Sequence, residues 1–509
     1  MLAQVNSAAL YGISGTPIKV EVDVASGLPR FNLVGLPDAA VREARERVRS
    51  AIKNSGFKFP NRRITVNLAP ADLPKEGPAF DLALAVGILA ASETISLAGW
   101  PKAVFLGELS LDGSLRPIPG ILPLISCLHR EHLGPFFIPA ANAAEASWIP
   151  ETEVYALDKL IQVTEVLMGT REATPVPRQT FAPNVKTTHL DLAQVRGQEH
   201  AKRALEIAAA GSHNVFMVGP PGSGKTMLAR CLPGILPSLT FAEALELSQI
   251  YSAAGLLDKE RPWITERPFR APHHSISVAG LVGGGRLPRP GEMTLAHLGV
   301  LFLDEFPEFP RSILESLRQP LEDGQLTIAR AQASFTFPTR PLLIAASNPC
   351  PCGFFSDPTR ECTCTPYSIS RYRSRVSGPL LDRLDLHVEV PRVPYADLVA
   401  SAATGESSPA IRRRVEAART IQLQRFKNTT TRSNADMTPA QLQQHCCLEK
   451  EAQYLLQTAY TSLGLSARAH SRILKVARTI ADLDQCEKIQ THHLAEALQY
   501  RALDRELIP

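Results

Sequence analysis

Residues 219–226 read Gly219-Pro220-Pro221-Gly222-Ser223-Gly224-Lys225-Thr226, and this glycine-rich stretch is the strongest motif of the chain. It matches the phosphate-loop spacing G-x-x-x-x-G-K-[ST] at every position, between an apolar strand-like run at 215–218 and a helix-compatible run at 227–232. Backbone N–H groups of such a loop face phosphate oxygens, and the helix N-terminus adds positive potential. We predict a nucleoside triphosphate site in which Lys225 reaches the β- and γ-phosphates and Thr226 ligates Mg²⁺. An ordinary Gly/Pro loop is the alternative.

The composition is that of a water-soluble globular protein. The chain has 509 residues, of which 44% are hydrophobic and 20% charged, and this length predicts about three domains. The net charge of +4 allows a nucleic-acid partner without requiring one. We see no leader pattern at the N-terminus and no long apolar run, so we expect a cytoplasmic protein with no membrane partner. Nine cysteines in such a chain argue against a disulfide framework.

Periodicity and composition divide the chain into four segments. Residues 1–168 mix strand-like alternation with helical spacing, and the almost wholly apolar stretch at 80–91 predicts a buried helix in an α/β domain. Residues 169–188 are rich in Pro and Thr and predict a linker. Residues 189–398 carry the phosphate loop and predict the nucleotide-binding domain. Residues 399–509 repeat a helical period and predict an all-helical domain.

Polar residues end two further apolar runs of the central domain. Residues 299–303 are followed by Asp304 and Glu305, and an acidic pair at a buried strand end is the expected partner of a phosphate loop. Asp304 is predicted to hold Mg²⁺, and Glu305 to polarise the water that attacks the γ-phosphate. An acidic strand end at the surface is the alternative. Residues 342–346 lead to Asn348, which we expect near the γ-phosphate because parallel strand ends line the ligand crevice.

Four cysteines follow Asn348 within fifteen residues, namely Cys350, Cys352, Cys362 and Cys364. With Pro and Gly to bend the loop, they predict a tetrahedral Cys₄ zinc site. Their C-x-C spacing is less common than C-x₂-C, and reduced, unliganded thiols are the alternative. A zinc ion here would stiffen a loop tied directly to the predicted γ-phosphate sensor.

Together these motifs resemble the AAA+ ATPases, and within that class the magnesium-chelatase-like branch with its ComM/YifB family. The resemblance covers nearly the whole chain and includes the Gly-Gln pair at 197–198 and the segments 267–277 and 290–299. It implies a homohexameric ring with ATP bound between neighbouring subunits. The implied fold class is α/β, with an AAA+ P-loop core built on a parallel sheet and a C-terminal all-helical lid.

The resemblance also assigns roles to single residues. Asn348 matches the sensor-1 position, and Arg468 matches the sensor-2 arginine of the lid, with Arg472 as a second match. Arg383 alone would be interpreted as a salt-bridging arginine. The resemblance makes it an arginine finger that acts on the neighbouring subunit's nucleotide by stabilising transition-state charge. With Lys225 and Glu305, these residues form the predicted catalytic set.

The N-terminal segment resembles the Lon-protease domain, a ribosomal S5 domain 2-like α/β fold, through residues 75–82 and 105–122. The family's nucleophilic serine falls at Ala79 and its catalytic lysine at Leu122, and neither residue can act as nucleophile or base. Peptidase activity is therefore not expected. The resemblance implies an assembly or DNA-contacting module, in which basic residues would serve unless they are merely solvated: Arg45, Arg47, Lys53, Arg62 and Arg63.

Two insertions relative to a minimal ATPase core bear on the substrate. Residues 265–298 contain a glycine-rich basic loop, and residues 325–340 alternate as two short strands, which predicts a β-hairpin. In related ATPases such features project into the central pore. Arg286, Arg289 and Arg330 are therefore DNA-binding candidates that would contact phosphates, with solvated loop arginines as the alternative.

These features lead us to predict an ATP-dependent hexameric DNA motor. It would be a helicase that promotes branch migration on single-stranded and branched DNA during homologous recombination and natural transformation, with recombination proteins as further partners. Its predicted cofactors are ATP, Mg²⁺ and a structural Zn²⁺. The DNA part rests mostly on resemblance. One alternative is a chelatase-type motor that remodels a partner protein, although the Lon-like domain and the cysteine loop depart from a simple chelatase motor. The other is an ATP-dependent assembly switch that does not translocate.

Overall fold

The computed structural model of the chain divides into two compact units. Unit 1 comprises Met1–Ala182 and Phe241–Ile264, and unit 2 comprises Pro183–Thr240 and Thr265–Pro509. The structure describes residues 1–73, 75, 77–181, 190–258, 260–285, 288–329, 334–355, 357, 360–394, 405–463 and 465–501.

Strands and helices alternate along most of the chain. The strands are β1 Leu2–Tyr11, β2 Ser14–Ala25, β3 Arg30–Val34, β4 Arg63–Ala69, β5 Val104–Phe105, β6 Glu108–Leu109, β7 Leu115–Arg116, β8 Phe136–Pro139, β9 Val154–Leu157, β10 Val215–Val218, β11 Phe269–Arg270, β12 Gly283–Gly284, β13 Arg289–Pro290, β14 Val300–Leu303, β15 Gln325–Ala329, β16 Ser334–Pro338, β17 Leu342–Ser347 and β18 Leu386–Glu389. The helices are α1 Ala39–Asn54, α2 Asp81–Ala91, α3 Ile121–Arg130, α4 Ala143–Ala146, α5 Leu160–Leu167, α6 Glu199–Gly211, α7 Lys225–Cys231, α8 Phe241–Ala254, α9 Val278–Val282, α10 Glu292–Leu295, α11 Arg311–Ser316, α12 Arg318–Asp323, α13 Pro366–Arg373, α14 Gly378–Leu381, α15 Ser408–Arg425, α16 Pro439–His445, α17 Lys450–Leu463, α18 Ala467–Leu483 and α19 Thr491–Gln499.

Unit 1 is built on a mixed seven-stranded sheet in the order β3-β4-β2-β1-β5-β8-β9. The long strands β1 and β2 form an antiparallel pair, and β5, β8 and β9 continue the sheet in parallel. The predicted buried helix is confirmed as α2, whose Gly87 lies so close to Val22 of β2 that an added Cβ would be 2.7 Å from a valine methyl. Asp81 begins this helix without any solvent exposure and pairs with Arg47 of α1 at 2.7 Å. Arg47 is thereby part of the core of unit 1.

Residues 241–264 pack in unit 1, although the sequence boundaries assign them to the nucleotide-binding domain. Helix α8 contacts α3, where Gln249 donates to the Ser126 hydroxyl at 2.9 Å and the Gly120 N–H donates to the Ser252 carbonyl at 3.0 Å. The ring of Trp263 stacks on Trp148 with a centroid distance of 5.0 Å. The predicted boundaries therefore place in the central domain a segment that packs in the N-terminal unit.

Unit 2 is built on a parallel five-stranded sheet in the order β11-β14-β17-β10-β18. Strands β10, β14 and β17 are buried along their whole length, as expected for a parallel sheet that is covered on both faces. Val215 and Met217 of β10 point into one core, and Phe216 and Val218 point into the other. The sequence-predicted strands at 215–218, 299–303 and 342–346 are thus confirmed as neighbours in one sheet.

The C-terminal helices α15–α19 share a core with the sheet of unit 2. Val415 of α15 and Ile473 of α18 belong to the same buried cluster as Val215. The predicted helical end is confirmed, but it belongs to the same compact unit as the parallel sheet. Among the described residues, every helix is too short or too polar to span a lipid bilayer.

Candidate nucleotide-binding site

The phosphate loop connects the end of β10 to the start of α7 and is open towards solvent. Gly219 packs against the end of β18, because an added Cβ would be 2.1 Å from the Val390 carbonyl oxygen. Gly222 and Gly224 have positive φ values of 78° and 94°, and an added Cβ at either position would meet nothing within 4 Å. The loop therefore has the backbone conformation and the free space that phosphate oxygens need.

Lys225 lies at the centre of this loop. Its ammonium group donates to the carbonyl oxygens of Gly219 at 2.7 Å and Pro220 at 2.9 Å. Burial lowers the pKa of the Lys225 ammonium to about 8, against the opposing effect of the Asp304 carboxylate. The ammonium is thus poorly solvated without a ligand and would gain strong partners in phosphate oxygens.

This lowered pKa predicts a pH dependence of ATP binding. Because the charged ammonium binds phosphates, affinity for a non-hydrolysable ATP analogue should fall as pH rises through about 8, by up to about tenfold per unit. Calorimetry in buffers of different ionisation enthalpy should detect proton uptake on binding at pH 8.5 and much less at pH 7. Lys225→Arg should lose this dependence, since a guanidinium stays charged throughout this range. Proton release at pH 8.5 would contradict the assignment.

Thr226 and Asp304 meet directly below the loop. The Thr226 hydroxyl donates to a carboxylate oxygen of Asp304 at 2.8 Å, although the two residues are 78 positions apart. A hydroxyl and a carboxylate side by side at the foot of a phosphate loop are the oxygen donors that Mg²⁺ prefers. The residues present therefore fit the predicted magnesium ion.

Glu305 follows Asp304 at the end of β14 and is exposed. Its φ of 52° is in the left-handed region, which is uncommon for a residue other than glycine. A carboxylate oxygen of Glu305 lies 3.2 Å from Nδ1 of His274, which follows β11, the neighbouring strand of the sheet. Glu305 thus has its carboxylate at the open edge of the site and in contact with His274.

Asn348 lies on the other side of the phosphate loop. It follows β17, the strand beside β10, and its side-chain oxygen is 3.4 Å from the Lys225 ammonium. The structure therefore brings the predicted sensor-1 residue to the lysine that is predicted to reach the γ-phosphate.

Arg383 and Arg468 meet at a different place in unit 2. Arg383 is buried and donates to Glu322 at 2.5 Å, to the Arg318 carbonyl oxygen at 3.0 Å and to the Pro379 carbonyl oxygen at 2.7 Å. Arg468 is exposed and lies 3.7 Å from the other oxygen of the Glu322 carboxylate. The two arginines therefore share one acidic partner, Glu322 of α12, and we call Arg383 and Arg468 the Glu322 pair.

The guanidinium of Arg472, the second match for sensor 2, is engaged in contacts within unit 2. It donates to the Asp385 carboxylate and, at 3.0 Å, to the Arg383 carbonyl oxygen. Although burial opposes it, the Arg472 guanidinium holds the pKa of Asp385 below its usual range. Its partners favour Arg468 as the arginine that is available to a ligand.

The four predicted zinc ligands come together in one loop. Sγ of Cys350 is 3.3 Å from that of Cys352 and 3.7 Å from that of Cys362, and the Sγ atoms of Cys352 and Cys362 are 3.6 Å apart. With Cys364, all four sulfur atoms lie within 4.8 Å of one another. The cysteines are thus close enough for one metal ion.

The structure describes only part of the predicted DNA-binding set. Arg286 and Arg330 lie outside the described residues, and Arg289 is exposed on β13, which pairs with β12. The predicted hairpin is confirmed as β15 and β16 in antiparallel register. An added Cβ at Gly283 would be 3.4 Å from Ile328 of the hairpin, so the glycine-rich loop and the hairpin lie side by side.

Three residues at or near the site were not predicted as functional residues. His274 contacts Glu305, Glu322 joins the two arginines, and Gln198 donates to the Ser223 carbonyl oxygen of the phosphate loop at 3.3 Å. The only sequence signal was their position within family-like phrases or acidic stretches, because each contact joins residues that lie far apart in the chain.

In the N-terminal unit, the two positions that align with the catalytic serine and lysine of the Lon-protease family are Ala79 and Leu122. Leu122 is fully buried in the first turn of α3, and Ala79 lies in the turn before α2. Among the basic residues, Arg47 pairs with Asp81 and Arg45 lies 3.4 Å from Glu46, whereas Lys53, Arg62 and Arg63 are exposed.

Comparison with known proteins covers both units. Family models match residues 191–398 (magnesium chelatase, subunit ChlI), 20–142 (subunit ChlI of Mg-chelatase) and 405–501 (magnesium chelatase, subunit ChlI C-terminal). Competence protein ComM of Haemophilus influenzae is 46% identical over 509 residues, covering 99% of this chain and 98% of that protein. Uncharacterized protein YifB of Escherichia coli is 46% identical over 508 residues, covering 100% and 98%. Lon protease 2 of Bacillus subtilis is 26% identical over 182 residues, covering 32% of each chain.

Proposed function

The chain belongs to the ComM/YifB family of magnesium-chelatase-like AAA+ ATPases, and we propose that it is an ATP-driven homohexameric motor that acts on DNA. In this proposal it is a helicase that promotes branch migration during homologous recombination and natural transformation. The observation that carries the proposal is the separation of the site into two groups. In the first group, Lys225 contacts Asn348 and Thr226 contacts Asp304. In the second group, Arg383 and Arg468 both contact Glu322.

The first group binds the substrate and prepares the water. Lys225 would exchange its two carbonyl partners for the β- and γ-phosphate oxygens of ATP, while Thr226 and Asp304 would hold Mg²⁺. The metal ion, when bound, neutralises phosphate charge. Glu305 would accept the proton of the attacking water, and Asn348 would contact the γ-phosphate through its side chain.

Arg383 of the second group would complete the neighbouring subunit's site. As an arginine finger, it would deliver its guanidinium to the γ-phosphate of the next subunit and stabilise charge in the transition state, while Arg468 would act as the sensor-2 arginine of the lid. Hydrolysis would then require two subunits in contact, which is the property a ring motor needs to order its steps.

The DNA assignment is supported by the two insertions and by the relatives. Arg289 is exposed on β13, and its partner strand β12 lies beside Ile328 of the hairpin, so the two insertions form one surface. Phosphate contacts from such a surface give sequence-independent binding, as a translocating motor requires. The name of the H. influenzae relative links that protein to competence. Unit 1 would serve assembly or DNA contact through its exposed Lys53, Arg62 and Arg63, and recombination proteins are the proposed further partners.

We also assign a structural Zn²⁺ to the four-cysteine loop. A tetrahedral site with Zn–S bonds of about 2.3 Å separates its sulfur atoms by about 3.8 Å, close to the 3.6 and 3.7 Å found between Cys362 and its two neighbours. The Phe355 N–H donates to Cys350 Sγ at 3.3 Å and the Cys352 N–H to Cys364 Sγ at 3.4 Å. Such N–H donors stabilise thiolates, and outer-shell partners of this kind accompany metal ligands.

DNA stimulation of ATP hydrolysis tests the motor. We expect single-stranded and forked DNA to raise the ATPase rate, and the wild-type protein to displace a strand from the fork. Glu305→Gln should bind ATP without hydrolysing it and should accumulate as a hexamer in ATP. Arg289→Glu should lose most of the DNA stimulation and keep the basal rate, whereas Arg413→Glu, a change at an exposed lid arginine, should behave like wild type.

The outcomes separate the motor from its alternatives. Stimulation only by a partner protein would favour a chelatase-type remodelling motor. ATP-dependent assembly without strand displacement or DNA stimulation would favour an assembly switch. Either result would end the DNA-motor proposal but would leave the assignment as an ATPase in place.

A further inference from the structure

The four-cysteine loop packs directly on the phosphate loop. Gly353, between the two cysteine pairs, has a positive φ of 86°, and an added Cβ would be 2.6 Å from Cδ of Pro221 and 3.9 Å from Cγ of Asn348. Real Cβ atoms do not come that close to a ring carbon, so any side chain at position 353 would displace Pro221 or the cysteine loop. The backbone of the loop therefore lies against two parts of the ATP site, the second proline of the phosphate loop and the predicted γ-phosphate sensor.

The cysteine loop is attached to the rest of unit 2 on both sides of Asn348. β17 precedes Asn348 and is fully buried, so the chain enters the loop from a fixed position. On the other side, Arg373 of α13 donates to the Pro349 carbonyl oxygen at 3.3 Å, and its guanidinium lies 5.0 Å from the centre of the Phe355 ring. These contacts hold the start of the loop and Phe355. Within the loop, the sulfur atoms bring the two cysteine pairs together, and the Arg360 guanidinium lies 4.1 Å from the centre of the Phe354 ring.

We propose that a zinc ion in the four-cysteine site fixes the position of Pro221 and Asn348 and thereby sets the affinity for ATP. The inference rests on the zinc assignment made above and adds a regulatory consequence to it. With the metal bound, the four thiolates hold the segment around Gly353 against Pro221, and the phosphate loop is ordered before ATP arrives. Without the metal, the segment gains freedom, and ATP binding must order both loops. The ligand is a soft, tetrahedral divalent cation that thiolates select.

The first experiment removes and restores the metal in the full-length wild-type protein. Zinc is removed by dialysis against a chelator, Mg²⁺ is restored, and the affinity for a fluorescent non-hydrolysable ATP analogue is measured before and after addition of Zn²⁺. We expect one zinc ion per chain before removal, roughly tenfold weaker analogue binding after removal, and recovery with Zn²⁺ but not with additional Mg²⁺.

The second experiment separates the contact from the metal. Gly353→Ala keeps all four cysteines and should retain zinc. Its affinity for the ATP analogue should fall by a similar factor, because the added methyl group displaces Pro221. Cys352→Ser should lose the zinc and the affinity together. Cys447→Ser, a change at an exposed cysteine outside the cluster, should alter neither quantity.

The results distinguish failure of the zinc assignment from failure of the coupling. A wild-type protein without zinc, and unable to take it up, would overturn the assignment and with it the inference. A protein that binds zinc but has the same analogue affinity in the zinc-free and zinc-loaded forms would overturn the coupling alone. Normal analogue affinity in zinc-loaded Gly353→Ala would likewise show that the contact with Pro221 transmits nothing.

Discussion

Lys225→Ala is expected to weaken ATP binding by about 10²- to 10⁴-fold, because it loses two charge-assisted hydrogen bonds of about 1.5–3 kcal/mol each. The side chain is buried at the centre of the phosphate loop, and its carbonyl partners, Gly219 and Pro220, belong to that loop. No other ammonium among the described residues makes these contacts, so the variant has no substitute for the lost charge. Hydrolysis should disappear together with binding.

Fluorescence titration with an ATP analogue in the presence of Mg²⁺ measures this effect. Lys427→Ala, which removes an exposed lysine of the lid, is the matched control and should bind like wild type. The fold of Lys225→Ala should persist, since strands β10, β14 and β17 do not depend on the lysine side chain. Binding of the analogue by Lys225→Ala with wild-type affinity would refute the assignment of the phosphate loop.

Arg383→Ala is expected to leave ATP binding nearly unchanged and to lower the rate of hydrolysis by about 10³- to 10⁵-fold, the range found for arginine fingers. The side chain makes no contact with Lys225, Thr226 or Asp304 of its own chain, since its partners are Glu322 and the carbonyl oxygens of Arg318 and Pro379. Because these partners are also structural, thermal melting of the variant must accompany the kinetics. Arg413→Ala controls for the loss of an exposed arginine.

A mixing experiment decides whether Arg383 acts on the neighbouring subunit. Lys225→Ala subunits have an intact Arg383, and Arg383→Ala subunits have an intact phosphate loop. In mixed rings, an Arg383→Ala subunit that binds ATP can receive the arginine of a Lys225→Ala neighbour, so part of the activity should return. If the arginine acts within its own chain, no mixture of the two variants will hydrolyse ATP. Wild-type hydrolysis by Arg383→Ala alone would exclude both roles.

Much of the second unit could be predicted from local patterns. The spacing at 219–226 and the apolar runs at 215–218, 299–303 and 342–346 predicted a phosphate loop and three strands, which the structure confirms as β10, β14 and β17. The reason is that a parallel strand buried on both faces has a continuous apolar run, which is visible in a single sequence. Because the carboxyl ends of parallel strands meet at one edge, the neighbourhood of Lys225, Asp304 and Asn348 followed as well.

The strands, the phosphate loop and the residues at the strand ends could thus be predicted from local sequence, since these features depend on neighbours in the chain. The contacts between distant residues became visible in the folded structure. In the structure, residues 241–264 belong to the first unit, and His274 contacts Glu305. Arg472 forms an ion pair with Asp385, whereas Arg468 is exposed beside Glu322. Gly353 packs against Pro221, so the cysteine loop supports the phosphate loop. These contacts depend on strand order and on close approach of backbones, neither of which produces a periodic signal along the chain.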